Sequence, residues 1–281
     1  MSFLMENWQN SELAAIRVGF GEGLVDIAKE NNLVMALSAD LMESVGFGKF
    51  YEEIGSPRAI EVGVAEQNLV TVASGLAAMG NIPFAASYAA FSPGRNWEQI
   101  RTTICLNNQP VKLVGSHAGL NVGPDGATHQ MLEDIALMRS LPNMVVLAPG
   151  DANEAKLMAA AMAGDKRPNY VRLPREKTPL FLNQSTFEIG KSYTLRRGKD
   201  VALFGTGVMT YQLLLAAEKL ANEYDIRAEV IHFPTIKPLD EDAVLDAAQK
   251  CQAVITAEEG QIVGGFGSSV AEVLSENLPV K

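Results

Sequence analysis

Two of the chain's three histidines fall in one glycine-rich stretch, GSHAGLNVGPDGATHQ, which carries His117, Asp125 and His129. Imidazole titrates near neutral pH and can give or take a proton, so two of them on a polar loop suit proton transfer. Metal ligation is the competing chemistry. The spacing matches no compact zinc pattern, and the chain has no HExxH and no cysteine ligand set, which disfavours it. Glu66, in EVGVAEQN, would open a helix directly after a strand, where the helix dipole alone favours a carboxylate. Tyr88 and Phe91 follow Phe84 and precede Arg95 and Arg101; aromatics so placed usually belong to a core. Asp40 and Ser44, in SADLMESVG, read on their own as an N-cap or turn set. His232 sits on an extended apolar run and reads as structural.

These residues need a scaffold, and hydrophobic periodicity supplies one. Apolar residues at helical spacing in SELAAIRVGFGEGLVDIAKE give way to the short apolar run LVMALSAD, a helix and then a buried strand. AIEVG, IPFAASY, VKLVGSH, NMVVLAP and NYVRLP read as further strands. Between them EQNLVTVASGLAAMG, GRNWEQIRTTICL, HQMLEDIALMRSL and ANEAKLMAAAMAG read as helices. Such alternation, with strands apolar on both faces, predicts an α/β fold built on a parallel sheet covered by helices. Residues 176–199 break the rhythm, and from VALFGTG onward it restarts. The expected organisation is therefore a first domain at 1–178, a linker at 179–198 and a smaller α/β domain at 199–281, each a mainly parallel sheet covered by helices.

In such sheets ligands gather at the carboxyl ends of the strands, which is where Asp40, Glu66, Tyr88 and the His117 loop fall. LFGTGVMT follows a strand as a dinucleotide fingerprint would, but Thr210 stands where its third glycine should be and no acidic residue ends the next strand. GFGEGL, at 19–24, does not follow a strand and is a weaker match. No GxSxG elbow is present, which weakens a hydrolase reading.

Composition narrows the classes further. The chain has 281 residues, 47% hydrophobic and 20% charged, enough for one or two real cores and unlike a disordered chain. A formal charge of −10 leaves no basic footprint for nucleic acid or an anionic membrane. No apolar run approaches the ~20 residues a membrane helix needs. Cys105 and Cys251 form no CxxC pair, so a reducing cytoplasm is expected.

In order and spacing, SADLMESVG, VGVAEQNLVTVASGLA, PFAASYAAF with WEQIR, the His117–His129 loop, VRLPRE, and FPTIKPLD with ITAEEGQIVGGFGSSVAEVL resemble the C-terminal portion of transketolase over nearly the whole chain. The resemblance implies a thiamine diphosphate pyrimidine-binding domain followed by a transketolase C-terminal domain. It implies that Glu66 is the glutamate hydrogen-bonded to the aminopyrimidine ring, that Tyr88 and Phe91 pack on that ring, and that Asp40 lies near the cofactor. By the same resemblance Arg17, Ser44 and Arg175 contact the phosphate end of a sugar phosphate. His117, Asp125 and His129 contact the sugar hydroxyls and the acceptor, with His117 and His129 in catalytic roles.

The diphosphate half of this family carries a GDG motif and a downstream Asn that hold a divalent metal, and no GDG occurs here. The resemblance therefore implies a split enzyme, inactive alone. Its expected partner is a separate N-terminal subunit that brings the diphosphate site with Mg or Ca, in an α2β2 heterotetramer acting on sugar phosphates. The family usually continues past SSVAEVLSENLPVK, so the third domain is expected to be short by one βα unit. Deoxyxylulose phosphate synthase and the β subunit of a 2-oxo acid dehydrogenase share the architecture and stand as alternative enzymes. A non-catalytic binding module is the alternative outside enzymes.

Overall fold

The computed structural model of the chain describes residues 3–251 and 253–278. In chain order the first part runs β1 (Leu13–Ala15), α1 (Ile16–Glu30), β2 (Val34–Ser38), α2 (Gly48–Glu53), β3 (Ala59–Glu61), α3 (Glu66–Ala78), β4 (Ile82–Tyr88), α4 (Trp97–Gln99), β5 (Lys112–Ser116), α5 (Asp134–Arg139), β6 (Val145–Leu147), α6 (Ala152–Gly164), β7 (Asn169–Leu173) and β8 (Lys177–Pro179). The second runs β9 (Tyr193–Arg196), β10 (Val201–Gly205), α7 (Met209–Tyr224), β11 (Ala228–His232), β12 (Thr235–Lys237), α8 (Glu241–Cys251), β13 (Val254–Ala257) and α9 (Phe266–Asn277).

The large sheet has the order β12-β6-β7-β5-β4-β2-β3 and is parallel except for β12. Strands β2, β5, β6 and β7 are buried along their whole length because helices cover both faces. Strand alternation divides the core in two: Val34 and Ala36 face a cluster with Phe20, Phe84 and Met158, whereas Met35 and Leu37 face one with Leu69, Ile104 and Met138. The smaller sheet, β13-β10-β11-β9, is parallel except for β9.

Four local expectations need correction. The segment 179–198 is packed rather than a free linker: it contributes β9 to the smaller sheet and buries Phe181, Leu182, Tyr193 and Leu195. β12 leaves the second half of the chain to pair antiparallel with β6, covering what would be a free edge of the large sheet, so the two cores are not separate. The helix expected over 129–141 is only Asp134–Arg139, since Met131 is drawn into an antiparallel bridge with Gly119. The helix expected over 94–106 is one α turn continued by a π-helical segment, Ile100–Cys105.

The glycines of GFGEGL have a packing role. α1 lies directly on α6, and a Cβ at Gly19 or Gly23 would overlap the carbonyl oxygen of Ala152 or Lys156. Alanine is the better helix former by about 1 kcal/mol, but backbone cannot yield as a side chain would. Gly23→Ala is therefore expected to lower stability by about 1–3 kcal/mol, read as a lower urea midpoint at unchanged slope.

The stretch LFGTGVMT is likewise committed internally. Thr210 Oγ1 pairs with His232 Nδ1 at 2.6 Å, and His232 Nε2 pairs with Glu154 Oε2 on α6 at 2.8 Å, all three residues fully buried.

Candidate functional site

Loops at the carboxyl ends of β2, β4 and β5 and the start of α3 gather most of the expected residues. Glu66 is the first residue of α3 and only 5% exposed, so its carboxylate sits in the positive field of the helix N-terminus. Among the described residues its side-chain partner is Arg95, whose Nη1 stands 3.4 Å from both carboxylate oxygens. Those contacts are long, and they leave acceptor capacity on both oxygens. Asn96 fixes the backbone beneath, its Nδ2 donating to the Glu66 carbonyl at 2.8 Å.

Four rings form the adjoining wall. Tyr88 ends β4 and stacks on the His117 ring at 3.9 Å between centroids, while Phe91 lies 5.9 Å from Tyr88 and nearly parallel to it. His129 presents its edge region to both, at 6.1 and 5.2 Å. The Arg95 guanidinium carbon sits 4.1 Å above the Phe91 ring, so this one residue joins the wall to Glu66. In the sequence Arg95 reads only as a cation beyond the aromatics.

His117 follows β5 in the left-handed region, at φ 56°, a conformation a non-glycine residue adopts at a cost. Its Nδ1 lies 3.0 Å from Ser116 Oγ. Burial pushes its pKa down to about 4, and the charges of Arg17 and Arg175 push the same way. The imidazole is therefore neutral at physiological pH. Between the ordinary value of 6.5 and about 4 the unfolded chain binds a proton that the folded chain refuses, so this group's contribution to stability is full above 6.5 and is lost as pH falls toward 4. Histidine NMR should show the His117 ring titrating near pH 4; a midpoint above 6 would contradict its burial.

Arg17, on α1, donates through Nη1 to the carbonyl of Arg175. Burial and then the neighbouring Arg175 charge lower its pKa. The two guanidinium charges act on each other, and among the described residues the carboxylate paired with Arg175 is that of Glu176 at 3.1 Å, so an anion would relieve the site. Arg175 also packs against the glycine-rich loop at Gly123, and Asp125 and His129 follow on that loop. Asp125 is exposed, and His129 Nδ1 lies 2.8 Å from Thr128 Oγ1.

Asp40 and Ser44 lie on the loop after β2. Among the described residues no hydrogen bond or ring contact joins either side chain to the ring wall. Glu61, at the end of β3, accepts the Asp40 and Met42 amides at 2.7 and 3.0 Å, holding Asp40 at φ 64° with its side chain exposed. The same loop closes on Arg17, since a Cβ at Gly46 would overlap the Arg17 carbonyl. Sequence reasoning missed Glu61, Asn96 and Arg95 as supports, because each acts on a residue about 20 to 30 positions away.

A carboxylate with free acceptor positions, joined to an apolar, ring-lined wall, offers the hydrogen-bond acceptor and the packing surface that an aminopyrimidine ring needs, so these residues fit the pyrimidine end of thiamine diphosphate.

Comparison with known proteins identifies the two domains. The family profile "Transketolase, pyrimidine binding domain" matches residues 13–179, and "Transketolase, C-terminal domain" matches 190–281. A Methanocaldococcus jannaschii protein whose name carries "transketolase C-terminal section" is 42% identical over 265 residues, 93% of this chain and 82% of its own length. The 6-deoxy-6-sulfo-D-fructose transketolase subunit SqwH of Clostridium sp. (strain MSTE9) is 39% identical over 278 residues, 99% of this chain and 84% of its own. A solved structure described as a split gene transketolase, inactive β4 tetramer, superposes with a TM-score of 0.87 at 41% identity, covering 95% of this chain and 86% of the other. The chain belongs to the transketolase family, of which it carries the pyrimidine-binding and C-terminal domains.

Proposed function

We propose that this chain is the C-terminal subunit of a two-chain, thiamine diphosphate-dependent transketolase, which moves a two-carbon ketol unit between sugar phosphates when joined to a diphosphate-binding subunit. The observation that carries the reading is the buried Glu66 carboxylate opening α3, joined through Arg95 to the Tyr88–Phe91 wall, with His117 stacked on Tyr88 and under the charges of Arg17 and Arg175. Thiamine diphosphate supplies a carbon that becomes nucleophilic on losing a proton and holds the electron pair during transfer.

Each of the chain's own residues has a definable task. Glu66 accepts a ring N–H through Oε1 or Oε2 and so favours the tautomer whose exocyclic nitrogen can take a proton. Tyr88 and Phe91 exclude water and orient the ring. His117, neutral and engaged at Nδ1, keeps Nε2 for a sugar hydroxyl. His129, engaged at Nδ1 with Thr128, offers Nε2 to the acceptor, and Asp125 adds a hydroxyl acceptor on the same loop. Arg17 and Arg175 grip the phosphate, with Ser44 beside them, and Asp40 lies toward the cofactor.

Partner dependence is supported by the solved relative described as an inactive β4 tetramer. The partner would bring the diphosphate site and its Mg or Ca ion, the pair forming an α2β2 assembly. Two buried, unpaired cysteines suit a reducing cytoplasm.

The test is to mix this chain with the candidate diphosphate-binding subunit, thiamine diphosphate and Mg²⁺, and to screen ketose phosphates and pyruvate as donors. Ketol transfer by the mixture and by neither chain alone is expected. Turnover of pyruvate without ketose phosphate would replace the reading with a deoxyxylulose phosphate synthase or a 2-oxo acid dehydrogenase. In the same assay Arg17→Gln should raise KM for a phosphorylated substrate about tenfold to a hundredfold and leave kcat within threefold, because a charge-assisted contact to a remote phosphate is made equally before and during reaction.

A further inference from the structure

The segment Glu258-Glu259-Gly260-Gln261, at the carboxyl end of β13, has no task in the reaction described above, yet it reaches across to the other half of the molecule. Glu258 is spent locally: its two carboxylate oxygens accept the Phe266 and Gly267 amides at 2.8 and 2.9 Å and cap α9. Glu259 points the other way. Its Oε1 accepts the Leu120 amide at 2.8 Å, and its backbone carbonyl accepts from Arg172 Nη1 at 2.6 Å.

Leu120 lies at the neck of the loop that bears Asp125 and His129. The neck is closed by Gly119 and Met131, which exchange backbone hydrogen bonds of 2.7 and 3.2 Å. Gly119 has φ 87°, and a Cβ there would overlap the Glu259 carboxylate, so only glycine lets that carboxylate approach. The opposite side of the neck is held as well. Arg172 Nη2 reaches the Met131 carbonyl at 3.4 Å, and the Gln261 amide donates to the Leu132 carbonyl at 2.9 Å. One short segment of the second half thus grips both strands of the neck, and Arg172 ties the two grips together.

We propose that Glu259 is a positioning residue for the substrate loop: through the Leu120 amide it sets where Asp125 and His129 stand relative to the ring wall. The proposal rests on reading that loop as the substrate loop. It also gives the C-terminal domain a share in catalysis without any group touching substrate. Loop placement to within about 1 Å is worth orders of magnitude in rate, so a single anchoring hydrogen bond has leverage.

Two measurements test it. In the full chain alone, hydrogen exchange at Gly119, Leu120 and Met131 should quicken about tenfold or more in Glu259→Ala and stay near the wild-type rate in Glu259→Gln, which keeps an acceptor oxygen. In the enzyme with its partner subunit, Glu259→Ala should lower kcat/KM about tenfold with the affinity for thiamine diphosphate and Mg²⁺ unchanged, and Glu259→Gln should restore most of it. Wild-type exchange in Glu259→Ala overturns the proposal, as does equal damage from both variants or a loss of cofactor affinity parallel to the loss of kcat/KM. If the wild-type pair transfers no ketol unit, the proposed function falls, whereas the exchange rates still decide whether Glu259 anchors the loop.

Discussion

Glu66→Ala should lower kcat of the reconstituted enzyme by about 10²–10⁴-fold, the range for loss of a positioned acid–base group. The size follows from isolation. No other carboxylate among the described residues contacts Arg95 or the Phe91 ring, and Arg95 itself is a cation that cannot accept a ring N–H. Glu66→Gln should be nearly as poor, since an amide keeps the shape but carries no charge to stabilise the protonated partner. Folding should survive both changes. The carboxylate contributes about 0.3–1 kcal/mol at the helix N-terminus, and the Arg95 side chain, 53% exposed, is left in water rather than buried. Steady-state kinetics beside a thermal melt checks this, and a kcat within threefold of wild type would remove Glu66 from the mechanism.

Asp134→Ala should carry the largest stability loss, about 3–5 kcal/mol of the ~5–15 kcal/mol typical of a folded protein. Asp134 is fully buried, its Oδ2 accepting from Tyr170 Oη at 2.9 Å and from Arg172 Nε at 3.0 Å. Burial opposes the Arg172 charge most strongly, but Asp134 together with Tyr170 and Glu259 outweighs it and holds the guanidinium above its ordinary pKa. Removing the carboxylate strands that charge inside the protein and leaves a buried phenol without an acceptor. The pair of Arg139 with Glu272, at 2.7 Å, is the control: the Glu272 carboxylate is mostly exposed and Arg139 keeps the Gly264 and Gly265 carbonyls, so Glu272→Ala should cost no more than about 1 kcal/mol. Urea titrations of the two variants would separate them clearly, and equal midpoints would show that Arg172 finds another partner.

Much of this was legible beforehand, and for a local reason. Strands such as Val34–Ser38 and Lys112–Ser116 announce themselves as short apolar runs, and ligand residues of α/β sheets follow strands, so Glu66, Tyr88 and His117 could be sought at strand ends. The corrections share a cause. HQMLED looks helical because its apolar residues recur at helical spacing, but Met131 pairs with Gly119 before the helix begins. GFGEGL looks like half of a nucleotide motif, and its glycines instead let α1 and α6 touch. Residues 179–198 look like a linker because polar residues break the alternation there, yet Phe181 and Tyr193 are both buried by partners distant in sequence.

Residue types and their order alone determined the α/β alternation and the family, and pointed to the carboxylate, rings and arginines proposed for the site, because periodicity and motif spacing are properties of neighbouring positions. Only the tertiary structure decided that His117 is neutral, that Arg95 bridges Phe91 to Glu66, that β12 crosses into the large sheet, and that Glu259 reaches Leu120. Each of these depends on burial, field or hydrogen bonding between groups about 20 to 140 positions apart, and a linear sequence carries no distance between such groups until the chain has folded.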